Sequence, residues 1–494
     1  MTIIFNKFCK EELTISDIQD AMEKGDLTSK ELVMYYLYRI AKYDQDEPNI
    51  NSLLEINPDA IFIAEALDRE RKIKGTRGPL HGIPILLKDN IETCDAMHTS
   101  AGTLALENYT ASKDAFLVEK LRDAGAVILG KTNMTELANG MSSKMWAGYS
   151  SRGGQVLNPY GDSGNSDLFV GGSSSGSAVA VAANFTVLSV GTETDASILS
   201  PAIQNSVVGI KPTVGLISRR GIIPFTYSQD TAGPFARTVR DATILLTALS
   251  GMDRFDSATY KSEGRVEQDY SIYLDSNGLR GAKIGVFNNA TSDFLNSDEY
   301  DDELFNNVID SIRDQGAEIF KDIDIPSFHR NWKWGVTLYE MKHSLNNFLS
   351  QLPPSLPVHS ITELIEFNKG IKDKALKYGQ NKLEQREPLS NTLRSPEYLL
   401  AKLEDIYYSQ EQGIDLALKK YDLDAILFPS YIGSTICAKA GYPSIALPAG
   451  YMKSGRPFGI TFAGTAFSEG KLIKLAYAFE QATKLRQSPI LPYA

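Results

Sequence analysis

The chain has 494 residues, of which 43% are hydrophobic, 22% charged and 10% aromatic, a profile that excludes disordered and collagen-like classes. With 50 basic and 61 acidic side chains the net charge is −11, and no basic block offers a surface for nucleic acid or an anionic membrane. Cys9, Cys94 and Cys437 form an odd, widely spaced set without a disulfide framework, so the thiols are expected to be reduced in a cytoplasmic protein.

In chain order, residues 1–20 are interrupted by charge too early for a secretory leader. Thr28-Ser29-Lys30-Glu31 has capping-box spacing, and Val33, Tyr36, Leu37 and Ile40 then share one helical face. Residues 83–87 read as a short buried strand, 115–124 as a helix stopped by Gly125, and 126–130 as a second buried strand. The apolar run 178–190 contains Asn184, Thr186 and Ser189 and falls short of the ~20 residues of a membrane span. Residues 301–315 place Leu304, Val308 and Ile312 on one stripe ended by Gly316, and 318–320 resume as strand. Residues 330–410 are helix-rich and irregular, with Trp332, Trp334 and the Pro353-Pro354 break; they read either as an insertion shaping a pocket or as helical cladding. Strands and helices that alternate in this way predict an α/β fold with a mixed, mostly parallel sheet covered on both faces.

Chemistry concentrates between residues 170 and 200. Glycine and serine fill residues 171–177 ahead of a small-residue helix, and a second small-residue turn covers 191–197. Such a loop before a helix is a candidate phosphate cradle, but this loop has neither the Lys-Ser/Thr of a P-loop nor GxGxxG spacing. There is no HExxH and no cysteine cluster, so a metal site is not supported, and the five scattered histidines give no support to a His-based serine hydrolase. Of the five histidines only His81 lies in a Gly-bounded motif, where a structural role is the simpler reading. Lys88 follows the apolar run 83–87. A lysine buried at a strand end is pushed toward its neutral form, and being half neutral at pH 7 means a pKa brought down from ~10.4, roughly 4.6 kcal/mol. The alternative is a surface lysine that merely ends the strand.

These residues resemble the amidase signature family. Gly171-Gly172-Ser173-Ser174-Ser175-Gly176-Ser177-Ala178 and Gly191-Thr192-Glu193-Thr194-Asp195-Ala196-Ser197-Ile198 match its core. Pro79-Leu80-His81-Gly82-Ile83-Pro84 with Lys88-Asp89, Gly130-Lys131-Thr132-Asn133-Met134-Thr135-Glu136, Gly209-Ile210-Lys211-Pro212-Thr213, Gly233-Pro234-Phe235-Ala236-Arg237 and Ala440-Gly441-Tyr442-Pro443 with Pro448-Ala449-Gly450 follow in the same order. Within the family the motifs look most like the peptide amidase branch.

The resemblance implies a Ser–cisSer–Lys triad in which Ser197 is the nucleophile, Ser173 the bridging serine after a cis peptide bond at Gly172-Ser173, and Lys88 the base. It implies an oxyanion hole from the backbone N–H groups of Thr194, Asp195 and Ala196, with Ser174 and Glu193 supporting the turn, and it calls for no cofactor or metal. Asp89 and Lys131 are expected to be structural, and Met134, Asn139, Met141 and Ser142 are candidates for the pocket wall. Two departures stand out. Ala196 replaces a glycine usual beside the nucleophile, and Leu199 stands where glutamine-hydrolysing relatives carry arginine.

Length alone suggests about three domains. The ordered motifs instead imply one amidase domain over 1–494, with an N-terminal helical part (1–75), a signature core (76–250), a pocket-forming insertion (330–410) and a C-terminal part of the core (420–494). The implied substrate is a small amide or peptide amide, with no nucleic-acid or membrane partner, for a monomer or homodimer. The alternatives are a glutaminase subunit of a transfer-RNA-dependent amidotransferase and a catalytically weak amide-binding relative.

Overall fold

A computed structural model describes residues 12–46, 49–161, 168–287, 300–332 and 335–491. Cys9 and Trp334 lie outside the described residues. Eleven of the strands among them form one sheet. In chain order the strands are β1 Leu53–Ile56, β2 Pro84–Lys88, β3 Val127–Thr132, β4 Tyr149–Ser150, β5 Gly154–Gln155, β6 Leu188–Glu193, β7 Val208–Lys211, β8 Thr231–Ala236, β9 Lys283–Val286, β10 Glu318–Phe320, β11 Ala425–Pro429, β12 Ser444–Tyr451 and β13 Pro457–Ala463. Their order across the sheet is β1-β3-β2-β6-β8-β7-β12-β13-β11-β9-β10, while β4 and β5 pair separately. The chain is thus a single large α/β domain, and the three-domain figure suggested by length does not apply.

The local predictions are met where periodicity is strong. Thr28 caps the helix Ser29–Arg39, and its hydroxyl and the Glu31 carboxylate each take the other's backbone N–H. The helix Phe116–Asp123 crosses over between the parallel strands β2 and β3 and ends before Gly125, whose φ of 80° is left-handed. Asp301 caps Asp302–Asp314, which buries Phe305, Val308, Ile309 and Ile312.

The sheet is mixed, but the expectation that it is mostly parallel is corrected. Parallel pairing is confined to two wings, β3-β2-β6 and β11-β9-β10. From β6 through β8, β7, β12 and β13 to β11 every neighbour is antiparallel, as is β1 on β3. Helices on both faces bury the central strands completely, so β2, β3, β6, β8, β11 and β13 have no exposed residue along their lengths.

Between residues 335 and 409 the chain forms helices, chiefly Gly335–Leu349, Ile361–Gly370, Asn381–Arg386 and Pro396–Ser409. Met341, Leu345, Leu349, Leu364, Ile365 and Leu383 join Met134, Leu137, Met141 and Met145 in a hydrophobic cluster separate from that of the sheet. This cluster packs the helices against the loops that follow β3, beside the carboxyl ends of β2 and β6.

Candidate active site

β2 and β6 are parallel neighbours, with Leu87 beside Val190, so Lys88 and Glu193 emerge at adjacent strand ends. β6 is also the strand at which pairing changes from parallel to antiparallel. The crevice outside such carboxyl ends is where open α/β sheets place ligands.

The Gly/Ser loop reaches this crevice through tight backbone packing. Gly171 has φ 71°, and a Cβ there would lie 2.6 Å from the Pro201 backbone. The Gly172–Ser173 peptide bond is cis. Ser173 O accepts from Thr135 N (3.0 Å) and Ser174 N donates to Ser197 O (3.3 Å), tying the loop to the 193–197 turn. The helix Ser175–Ala182 is wholly buried behind it.

Lys88 is fully buried. Its Nζ donates to Ser173 Oγ (2.7 Å), Ser174 Oγ (2.9 Å), Thr192 Oγ1 (2.9 Å) and Thr192 O (3.2 Å). All four acceptors are neutral. Burial therefore brings the ammonium down from 10.5 to about 7, against the smaller opposing pull of Asp230 and Glu193. Ser174 completes the cluster, donating to Thr192 O (2.9 Å) and accepting from Thr192 N (3.2 Å).

Ser197 is 8% exposed and Ser173 3%. Ser197 Oγ makes a long hydrogen bond to Asp195 O (3.4 Å), and no hydrogen bond joins it to Ser173 among the described residues. Both serines line one cavity, together with Gly172, Thr194, Asp195 and Ala196. The N–H groups of Asp195, Ala196 and Ser197 donate to no acceptor among the described residues. Ala196 has φ 62°, the left-handed region. Glu193 organises the turn from below, its Oε2 accepting from Ile198 N (2.6 Å) and Leu199 N (3.0 Å). Burial raises the Glu193 carboxyl, while the nearby Lys211 opposes that rise.

The cavity measures about 810 Å³, within the usual range for small-molecule sites. Asn139 lines it; Met134 lines a smaller neighbouring cavity, Met141 packs in the hydrophobic cluster, and Ser142 donates to Tyr378 O (2.6 Å). Leu199 is buried in a cluster with Ala178, Val181 and Phe235 and does not line it. Asp89 accepts from Ser100 N (3.2 Å) and Gly102 N (3.0 Å) and is a loop anchor. His81 is tied to Leu67 O (3.0 Å) and Arg77 N (3.3 Å), and no histidine lines the cavity. Among the described residues no cluster of His, Cys, Asp or Glu could hold a metal ion, and no helix is long and apolar enough to cross a membrane.

Among the cavity residues that sequence reasoning did not single out, four carry polar side chains of interest. Ser200 has no motif context of its own, and Thr435, Lys382 and Arg386 sit in segments without motifs. Arg386 follows Lys382 by one helical turn, the spacing that puts both on one face.

A family profile described as Amidase matches residues 31–436. A probable amidase of Arabidopsis thaliana is 41% identical over 98% of this chain and 92% of its own length. The native peptide amidase of Stenotrophomonas maltophilia superposes with a TM-score of 0.90 at 41% identity, covering 97% of this chain and 99% of that one. A glutamyl-tRNA(Gln) amidotransferase subunit of Prochlorococcus marinus is 33% identical over 96% of this chain and 98% of its own length. The chain belongs to the amidase family. It is an amide-hydrolysing enzyme with the fold of the peptide amidases.

Proposed function

We propose that the enzyme hydrolyses linear carboxamides through an acyl-serine, with Ser197 as nucleophile, Ser173 as proton bridge and Lys88 as base. The observation that carries this reading is a fully buried lysine, surrounded by neutral oxygens, held 2.7 Å from a serine hydroxyl on the cavity floor. Such a lysine reaches neutrality at working pH, which is what a general base needs.

Neutral Lys88 takes the Ser173 proton as Ser173 takes that of Ser197, and Ser197 Oγ bonds to the amide carbon. The carbonyl π pair moves to oxygen, and the N–H groups of Thr194, Asp195 and Ala196 receive the oxyanion. Collapse breaks the C–N bond, and the proton held on Lys88 returns through Ser173 to the leaving nitrogen, releasing ammonia or amine. Water attacks the acyl ester along the same relay, giving the carboxylic acid and free Ser197. The relay requires Ser197 to turn from Asp195 O toward Ser173, one side-chain rotation when substrate binds.

Peptide C-terminal amides and small aryl or alkyl amides are the substrate classes favoured by the likeness to a peptide amidase. Ammonia release from amino-acid amides, peptide amides, aryl amides, fatty amides and glutamine tests the reading. Ser197→Ala and Lys88→Ala are expected to lower kcat at least about a thousandfold. For wild type, kcat/KM falls about tenfold per pH unit below pH 7, because protonated Lys88 cannot accept the proton. Full activity in either variant overturns the assignment. Activity confined to glutamine, with partner subunits co-purifying, selects the amidotransferase role instead.

A further inference from the structure

The helix Asn381–Arg386 brings two cations to the cavity wall that the hydrolytic relay leaves unused. Arg386 is only 4% exposed. Its Nη1 donates to Lys382 O (2.7 Å) and Gly140 O (3.3 Å), and its guanidinium lies 5.7 Å from the Phe225 ring centre. Its buried Nε has no acceptor, and Nη2 donates no hydrogen bond among the described residues. Lys382 is half-buried beside it and donates to Asn139 O (3.1 Å). Neither side chain forms an ion pair among the described residues.

Among the described residues other buried or half-buried cations meet a carboxylate or several carbonyls. Lys439 meets Asp405 at 2.7 Å, Arg219 pairs with Asp256, and Arg237 donates to the carbonyls of Val181, Thr186 and Leu13. A guanidinium taken from water with N–H groups to spare is costly unless something else fills them. Burial brings Arg386 down to about 10, and the same burial together with the charge of Arg386 depresses Lys382. Of the Asp195 carboxylate, also on the cavity wall, Oδ2 accepts from Thr435 Oγ1 (2.9 Å) while buried Oδ1 has no partner among the described residues. At the Asn381–Arg386 part of this wall the donors left unfilled are therefore cationic, in a molecule whose net charge is −11.

We infer that Arg386, assisted by Lys382, anchors a carboxylate on the acyl portion of the amide substrate. The preferred substrates are then amides whose far end is an anion, such as the monoamide of a dicarboxylic acid. The inference rests on the hydrolytic reading of the Ser197 end, and it names what the other end of the same cavity holds. A planar carboxylate suits the guanidinium fork, which offers two parallel N–H groups. The competing occupant is a neutral peptide carbonyl, which would use one of those donors and carry no charge.

The test compares straight-chain dicarboxylic monoamides of increasing length with the methyl esters of the same monoamides, matched in size but uncharged. Wild type is expected to favour the acid at the best length by at least about tenfold in kcat/KM, chiefly through KM. Arg386→Gln is expected to lower kcat/KM for the acid at least about tenfold more than for the ester, and Lys382→Met to do so by a smaller factor. Acid and ester equal within about threefold in wild type, or equal losses in Arg386→Gln, overturn the inference. Arg386→Lys keeps the charge without the fork and serves where the glutamine variant does not fold. If neither series is hydrolysed and a fluorophosphonate fails to label Ser197, it is the hydrolytic reading that has failed. Calorimetry of wild type with the free dicarboxylate then decides the anchor alone: saturable binding lost in Arg386→Gln supports it, and absent binding overturns it.

Discussion

Lys88, Lys131 and Lys211 are all fully buried and all sit at or near the ends of strands, so burial alone does not single out a base. Their acceptors do. Lys131 Nζ donates to Ile91 O and Thr99 Oγ1, and Lys211 Nζ to the carbonyls of Tyr442 and Cys437, whereas Lys88 faces three hydroxyls and one carbonyl. Lys131 and Lys211 pin backbone; Lys88 can exchange a proton. In the sequence the apolar run 83–87 makes Lys88 a candidate base, but Lys131 and Lys211 also follow apolar residues, and the resemblance to a family is what assigns the role to Lys88. Ala196 is the second residue-scale question. Its φ of 62° places a Cβ where glycine is at ease, at a cost of about 1–2 kcal/mol. The turn is held regardless, because Ala196 O accepts from Ser200 N (2.8 Å) and Glu193 fixes the N–H groups of Ile198 and Leu199. Ala196→Gly is therefore expected to change kcat by less than about threefold, with a stability gain held to about 1 kcal/mol by glycine's freer unfolded chain. Ala196→Val, β-branched in the same region, is expected to lower kcat at least about a hundredfold. Steady-state ammonia release and thermal midpoints check both, and a large gain in turnover for the glycine variant would show that the natural alanine impairs the turn.

At the scale of elements, the segment from β6 through the turn to the helix Leu199–Gln204 is the unit that makes the site, and one carboxylate secures it. Glu193 Oε2 takes two N–H groups at the start of that helix, while its charge lies close to buried Lys211. Glu193→Ala strands both donors and removes Lys211's counter-charge, so a loss of about 3–5 kcal/mol in stability and a severe fall in kcat are expected. Glu193→Gln, whose amide oxygen can replace Oε2, is expected to recover most of the activity. Equal damage in both variants would point to the charge rather than to the hydrogen bonds. The elements themselves were largely legible: the capping box at Thr28, the crossover at 116–123 and the stripe of 302–314 all follow from 3.6-residue periodicity and end signals. Strand direction was not. β8 and β11 are buried on both faces and read as continuous apolar runs whichever way they pair, and the connections that set their direction are long and leave no local mark. Residues 330–410 were expected to shape a pocket, but the particular wall residues Lys382 and Arg386 were not legible, for a related reason. Two cations one turn apart on a short helix look like a solvated face until packing against the loops after β3 buries one of them.

At the scale of the whole molecule, the sheet and the helices on both its faces close a water-poor floor under the cavity, and that floor sets the base's pKa. The same desolvation that prepares Lys88 for proton transfer weakens the fold. In the unfolded chain its ammonium titrates near 10.5, in the folded chain near 7. Between those values the unfolded state holds a proton that the folded state lacks, so this group's unfavourable contribution shrinks as pH rises from 7 to about 10.5 and is constant below 7. Lys88→Met removes the titration while keeping an unbranched side chain of similar reach. The variant is therefore expected to be more stable than wild type at pH 7, with an advantage that declines by up to about 4 kcal/mol on going to pH 10. Denaturant midpoints at half-unit steps across that window measure the slope of the difference. Other buried groups titrate identically in both proteins and cancel in the difference. A gap that stays constant from pH 7 to pH 10 would mean that Lys88 is already charged at neutrality, and a lysine charged there could not serve as the base that opens each turnover.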